Sequence, residues 1–165
     1  MPARAREEEE EEAADHVDDG GEPAAKRARV VGEICAIATP LASEKLHKKL
    51  FKAVKRAAAS KSLKRGVKEV VKALRKGEKG LVVLAGDISP VDVISHIPVL
   101  CEDGEVPYVY VGSKADLGAA AATKRPTSVV FLAPKKGDAE FLKEEKLAEL
   151  IAKVRALHAE LAAAR

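Results

Sequence analysis

Three short, almost uninterrupted apolar runs set the terms for this 165-residue chain: Leu81-Val-Val-Leu-Ala85, Pro107-Tyr-Val-Tyr-Val111 and residues 127–132. Each is too short for a helix with one wet face, and each is bounded by Gly, Pro or charged residues, so each reads as a strand buried on both sides. Burying both faces requires helices above and below. Strands that alternate with helical patterns along the chain imply right-handed crossovers between them. The expected fold is therefore α/β, a three-layer α/β/α sandwich around a small mixed sheet. A further short strand near residues 33–37 is expected as its fourth member.

The helical segments are legible from their period. Ser43 can cap a first helix in which Leu46, Leu50, Phe51, Val54, Ala57 and Ala58 fall on one arc at about 100° per residue. Most of the remaining arc is cationic: Lys45, Lys48, Lys49, Lys52, Lys55 and Arg56, with only Glu44 nearby. Such a face is either a solvated surface or a polyanion contact, and solvated surfaces usually intersperse acids. A second helix is expected over residues 66–76, burying Val67, Val70, Val71 and Leu74, with Gly77 placed to end it. Ser89 and Pro90 open a third, short helix that ends before Pro98. Ser113 caps a small Ala-rich helix over residues 114–122, and a final amphipathic helix over residues 138–160 carries Phe141, Leu142, Leu147, Leu150, Ile151, Val154 and Leu157.

Charge divides the chain. Residues 1–32 hold 10 of the 26 acids and 5 of the 29 basic residues, leaving 24 basic and 16 acidic residues, a net +8, on residues 33–165. The run of glutamates from Glu7 to Glu12 is too charged to offset ordering entropy, so residues 1–32 read as a disordered acidic tail. Within it, Lys26, Arg27 and Arg29 form either a nuclear import signal or an incidental basic patch. Residues 33–160 form one domain, and residues 161–165 fray. Cys35 and Cys101 belong to no CxxC or Cys/His cluster, so neither a disulfide framework, a metal site nor a cofactor is expected. No run approaches the roughly 18 apolar residues of a membrane helix, and the expectation is a soluble, intracellular protein.

Nor does the chain carry an enzyme's signatures. It contains no GxGxxG, GxxxxGK[ST] or GxSxG motif, and its four histidines are scattered. His96 reads as a satisfied structural histidine, and Asp87, after a strand end, stands where enzymes place an acid but equally suits capping the helix that follows. The stronger constellation is Lys64-Arg-Gly-Val-Lys-Glu-Val-Val-Lys72 at the start of the second helix. The free N–H groups of a helix start and its positive dipole end attract anions, and Gly66 allows a backbone to approach closely. Lys68 and Lys72, one turn apart, suit a run of phosphates. Glu69 could accept hydrogen bonds from a guanine or reach back to cap its own helix. An aromatic share of 3% argues against modules that read bases by stacking.

Arg65-Gly-Val-Lys-Glu69, Gly77-Glu-Lys-Gly80, Leu84-Ala-Gly-Asp-Ile-Ser-Pro90, His96-Ile-Pro-Val-Leu-Cys-Glu-Asp103, Val106-Pro-Tyr-Val-Tyr-Val111 and Ser113-Lys-Ala-Asp-Leu-Gly118 form a familiar series over about residues 35–157. The chain resembles the kink-turn-binding ribosomal-protein superfamily and, within it, the H/ACA ribonucleoprotein subunit 2 family. The resemblance implies an RNA-binding surface made from the second helix start, where the family's motif falls on Gly66, Val67, Lys68, Glu69 and Lys72, and a loop (Thr123, Lys124 and Arg125); Lys64 and Arg65 of the basic constellation complete the expected RNA-binding residues. It also implies a non-catalytic subunit in the nucleus and nucleolus, with Cajal bodies a further location. The partners implied are H/ACA guide RNA, a pseudouridine synthase and two other small core proteins. The particle would guide pseudouridylation of ribosomal and spliceosomal RNA, contribute to ribosome biogenesis, and package telomerase RNA in organisms that use it so. Two positions depart from the family pattern. Lys68 stands where kink-turn specialists carry Asn, and an ammonium, a donor only, favours phosphates over base edges. Ala122 stands where Gly is usual. Competing readings are a kink-turn-binding sister protein, a small nucleotide-directed enzyme and a protein-only adaptor.

Overall fold

The computed structural model describes residues 33–134 and 144–164. The acidic tail, its basic cluster, and Phe141 and Leu142 of the expected last helix lie outside the described residues. In chain order the elements are α1 (Glu44–Ala59), β1 (Leu63–Arg65), α2 (Val67–Arg75), β2 (Leu81–Ala85), a 3₁₀ turn (Val91–Val93), α3 (His96–Asp103), β3 (Tyr108–Val111), α4 (Lys114–Ala120), β4 (Val129–Leu132) and α5 (Glu144–Ala163).

The three apolar runs become β2, β3 and β4, and every residue of all three is buried. The sheet order is β1-β4-β2-β3. β2 runs parallel to β3, with Val82 opposite Tyr108, while β4 runs antiparallel to both β2 and β1. α2 packs with α3, and α1 packs with α4 and α5, so the two sets form the outer layers. α1 turns Leu46, Leu50, Val54 and Ala57 inward, the i, i+4, i+8, i+11 stripe of a helix lying on a core.

Two expectations about where strands and helices fall fail. The fourth strand is not residues 33–37 but Leu63–Arg65, paired with β4; near the other edge, Leu41 makes only an isolated bridge to Tyr110. β1 escapes a reading by pattern because it is three residues long, two of them cationic, and is specified by a partner some 65 residues away in sequence rather than by its own composition. The second failure concerns Pro98. It does not follow a helix but sits in the first turn of α3, where its missing N–H would have had no helical partner. The segment after Pro90 makes only the 3₁₀ turn.

Turn chemistry closes the elements as their residues require. After α2, Gly77 takes a left-handed φ of +72°, its N–H bonds to the Leu74 carbonyl at 2.9 Å and the Glu78 N–H to the Ala73 carbonyl at 3.2 Å, a Schellman stop. Asp87 caps a helix, though not the one that follows it in sequence: its Oδ1 accepts the Lys114 N–H at 2.8 Å, so the end of β2 holds the start of α4. Cys101 is fully buried, and burial pushes its thiol up to about 12, which leaves it protonated and inert at neutral pH. Cys35 is half-buried.

Gly80 shows how tightly β2 seats against β4. A Cβ there would lie 2.2 Å from the Leu132 carbonyl oxygen and 2.9 Å from the Phe131 ring. Gly80→Ala is expected to destabilise the domain by about 1–3 kcal/mol, the usual penalty of overpacking, seen as a lower urea midpoint at unchanged slope.

Candidate nucleic-acid interface

α2 begins at Gly66, whose φ of +88° and ψ of 155° are open to glycine almost alone. Nothing lies within 4 Å of where its Cβ would be, so backbone conformation, not crowding, reserves the position. The space over the helix start is consequently open. The Gly66 N–H is held by the Val129 carbonyl at 2.9 Å, which ties the start of α2 to β4. The next amides, those of Val67 and Lys68, belong to the first turn and point out of the helix end.

Alternation along β1 separates its two cations. Arg65 donates from Nη1 to the Ala121 carbonyl at 3.0 Å, so it clamps the helix start to the end of α4 and the loop beyond. Lys64 does not join this group: its ammonium pairs with Glu78, beyond the far end of α2, and sits 6.0 Å from the centre of the Phe131 ring. Glu69 reaches back past the helix start to β1, with Oε2 accepting the Arg65 N–H at 3.1 Å. Lys68 and Lys72 are exposed and carry no ion pair among the described residues.

The loop after α4 is also built rather than slack. Ala122 occupies the left-handed position of a second Schellman stop, φ +56°, with its N–H on the Ala119 carbonyl and the Thr123 N–H on the Gly118 carbonyl at 3.0 Å. The Thr123 hydroxyl reaches the carbonyls of Gly118 at 3.0 Å and of Arg125 at 2.9 Å. Thr123 thus shapes the loop, while Lys124 and Arg125 are left exposed on it. The loop returns so close that a Cβ on Gly118 would meet the Arg125 carbonyl oxygen at 2.4 Å.

The structure therefore brings Arg65, Gly66, Lys68, Glu69 and Lys72 together with the loop of Thr123, Lys124 and Arg125. It adds three residues the sequence reading passed over. Arg75, Lys76 and His96 join Lys68 and Lys72 around an open groove of about 490 Å³, floored by Val67 and Val71. His96, read from the sequence as a satisfied structural histidine rather than a site residue, is exposed at the first position of α3. Arg75 and Lys76 could have been found from helical period alone, lying seven and eight residues beyond Lys68; His96 could not, because a tertiary contact between α2 and α3 brings it to the groove.

The family model described as "Ribosomal protein L7Ae/L30e/S12e/Gadd45 family" matches residues 48–143. An Arabidopsis thaliana relative named "H/ACA ribonucleoprotein complex subunit 2-like protein" is 59% identical over 119 residues, 71% of this chain and 74% of its own. A Schizosaccharomyces pombe relative, "H/ACA ribonucleoprotein complex subunit nhp2", is 62% identical over 105 residues, 61% of this chain and 68% of its own. Among solved structures, the "Giardia lamblia 15.5kD RNA binding protein" superposes with a TM-score of 0.69 at 36% identity, covering 75% of this chain and 99% of that one.

The left-handed Ala122 gives a direct test of the loop. An L-residue with a Cβ is strained there by about 1–2 kcal/mol, partly offset by the greater freedom glycine has when unfolded. Ala122→Gly is expected to raise stability by about 0.5–1 kcal/mol in urea denaturation. Gly118→Ala should lower it by about 1–3 kcal/mol, because the Cβ would collide with backbone.

Proposed function

The chain belongs to the L7Ae/L30e/S12e/Gadd45 family, in its H/ACA ribonucleoprotein subunit 2 branch, and from that membership we propose that it is an RNA-binding, non-catalytic scaffold subunit of an H/ACA ribonucleoprotein. The observation that carries the reading is the Arg65 clamp. It fixes an open, positively charged helix start beside a loop presenting two further cations, so that one RNA can be gripped from both sides.

In this reading the first-turn amides of α2 and the dipole behind them hold a phosphate, and Lys68 and Lys72 follow the backbone along the helix. Arg75, Lys76 and His96 extend that track. Lys124 and Arg125 close on the RNA from the loop. Glu69 uses one oxygen to hold the Arg65 amide, leaving the other to accept from a base edge. Lys64, engaged with Glu78, contributes to the fold rather than to binding.

The partners proposed are H/ACA guide RNA, a pseudouridine synthase that performs the chemistry, and two other small core proteins. Holding the guide RNA's upper stem would let a target uridine in ribosomal or spliceosomal RNA reach that synthase. The place of work is the nucleus and nucleolus, the process ribosome biogenesis, with telomerase RNA a further client where it is packaged this way. The domain limit proposed begins at residue 33, after the acidic tail; its end, expected at residue 160 with a frayed remainder, moves to Ala163, where α5 stops.

A single lysine at position 68 in place of a base-reading amide favours phosphate contact over motif recognition. A salt titration against a kink-turn RNA and an H/ACA hairpin lacking that motif is expected to give similar affinities and a slope of about −2 to −4 in log K against log salt. Lys68→Ala should weaken both RNAs equally and flatten the slope by about 1. A strong preference for the kink-turn RNA would instead favour the sister-protein reading.

A further inference from the structure

We propose that the outward face of α1 is a second RNA-backbone site, on the outer layer opposite α2, which takes the phosphates of a segment of the guide RNA distinct from the one at the α2 groove. The proposal rests on the reading of this chain as an RNA binder but not on the details of the α2 interface.

At about 100° and 1.5 Å per residue, Lys45, Lys48, Lys49, Lys52, Lys55 and Arg56 share an arc of about 120° and repeat every 4–6 Å along the axis. That step is comparable to the spacing of successive phosphates on one strand. A face that serves only solubility usually intersperses acids among its cations. This one does not: Lys49 pairs with Glu149 at 3.3 Å, and the other five carry no ion pair among the described residues. The charge is also not confined to one helix. Lys146 on α5 joins Lys49, Lys52 and Arg56 around a cleft of about 280 Å³ between α1 and α5.

RNA fits this surface better than an acidic protein segment does. Protein partners gain most of their affinity from apolar and aromatic anchors in a desolvated centre. The cationic arc of α1 itself carries no such anchor: the helix buries Leu46, Leu50, Val54 and Ala57, and the apolar lining of the adjoining cleft, Ala53, Leu132, Leu147 and Leu150, lies to one side of the arc, beside α5. Counterion release from a phosphate chain requires only the cations. The position matters as well. α1 packs with α4 and α5, whereas the α2 groove lies in the layer shared with α3, so a hairpin seated on α2 leaves α1 free for RNA that continues around the molecule.

The test compares the full chain, Lys48→Ala/Lys52→Ala/Lys55→Ala, and Lys68→Ala/Lys72→Ala on two RNAs: an H/ACA upper hairpin, and the same hairpin extended through its lower stem. The α1 variant is expected to bind the short hairpin within about twofold of the parent. It should lose about tenfold or more on the extended RNA and flatten that RNA's salt slope by about 2–3. The corresponding triple Lys→Arg variant should restore both. Unchanged binding of the extended RNA by the α1 variant overturns the proposal, and so does a loss confined to a poly-glutamate peptide, which would mark the face as a site for acidic protein. If Lys68→Ala/Lys72→Ala alters neither RNA, the α2 interface is wrong whatever α1 does, so the two readings fail separately.

Discussion

Leu81–Ala85 has no exposed side chain, and it hydrogen-bonds on one edge to a parallel strand and on the other to an antiparallel one. A strand so placed survives only while helices cover both of its faces, since each uncovered Val or Leu forfeits about 1.5–3 kcal/mol of burial. The layering follows from that demand: α1, α4 and α5 cover one side and α2 and α3 the other. The same strand sets the polar architecture. Its end places Asp87 to cap α4, and Gly80 before it lets β4 approach within a distance no side chain would tolerate.

The candidate interface is a by-product of that packing. α2 must turn sharply out of β1 to reach its face of the sheet, and the turn needs the positive φ of Gly66. The turn leaves amides at the helix start without helical partners, which is the chemistry an anion uses. β4 runs beside β1, so the loop leading into it emerges next to that helix start, and Arg65 spans the gap. Burial of the core and exposure of the cations therefore follow from one arrangement.

What could be read from the sequence was what is local. β2, β3 and β4 announced themselves as apolar runs, and α1 and α2 through their periods and end signals, Gly77 among them. The cluster from Arg65 to Lys72 was visible because it lies within a dozen residues. Misreadings arose wherever a distant partner decides. β1 depends on β4, the direction of Lys64 depends on Glu78 and Phe131, and the cap supplied by Asp87 goes to a helix 27 residues away. Pro98 misled for a different reason. Its meaning depends on whether it falls in the first or the last turn, and spacing alone does not decide which.

The pairing of Leu63 with Leu132 has a bearing on how the protein is made. The lysines and arginine of α2 are in place early in synthesis, but the carbonyl of Val129 that holds Gly66 and the loop that receives Arg65 come more than 50 residues later. At about 5–20 residues per second, the ribosome delivers them seconds behind. Until β4 and the loop before it arrive, nothing holds the start of α2 beside Lys124 and Arg125, so the cations exist before the arrangement that groups them.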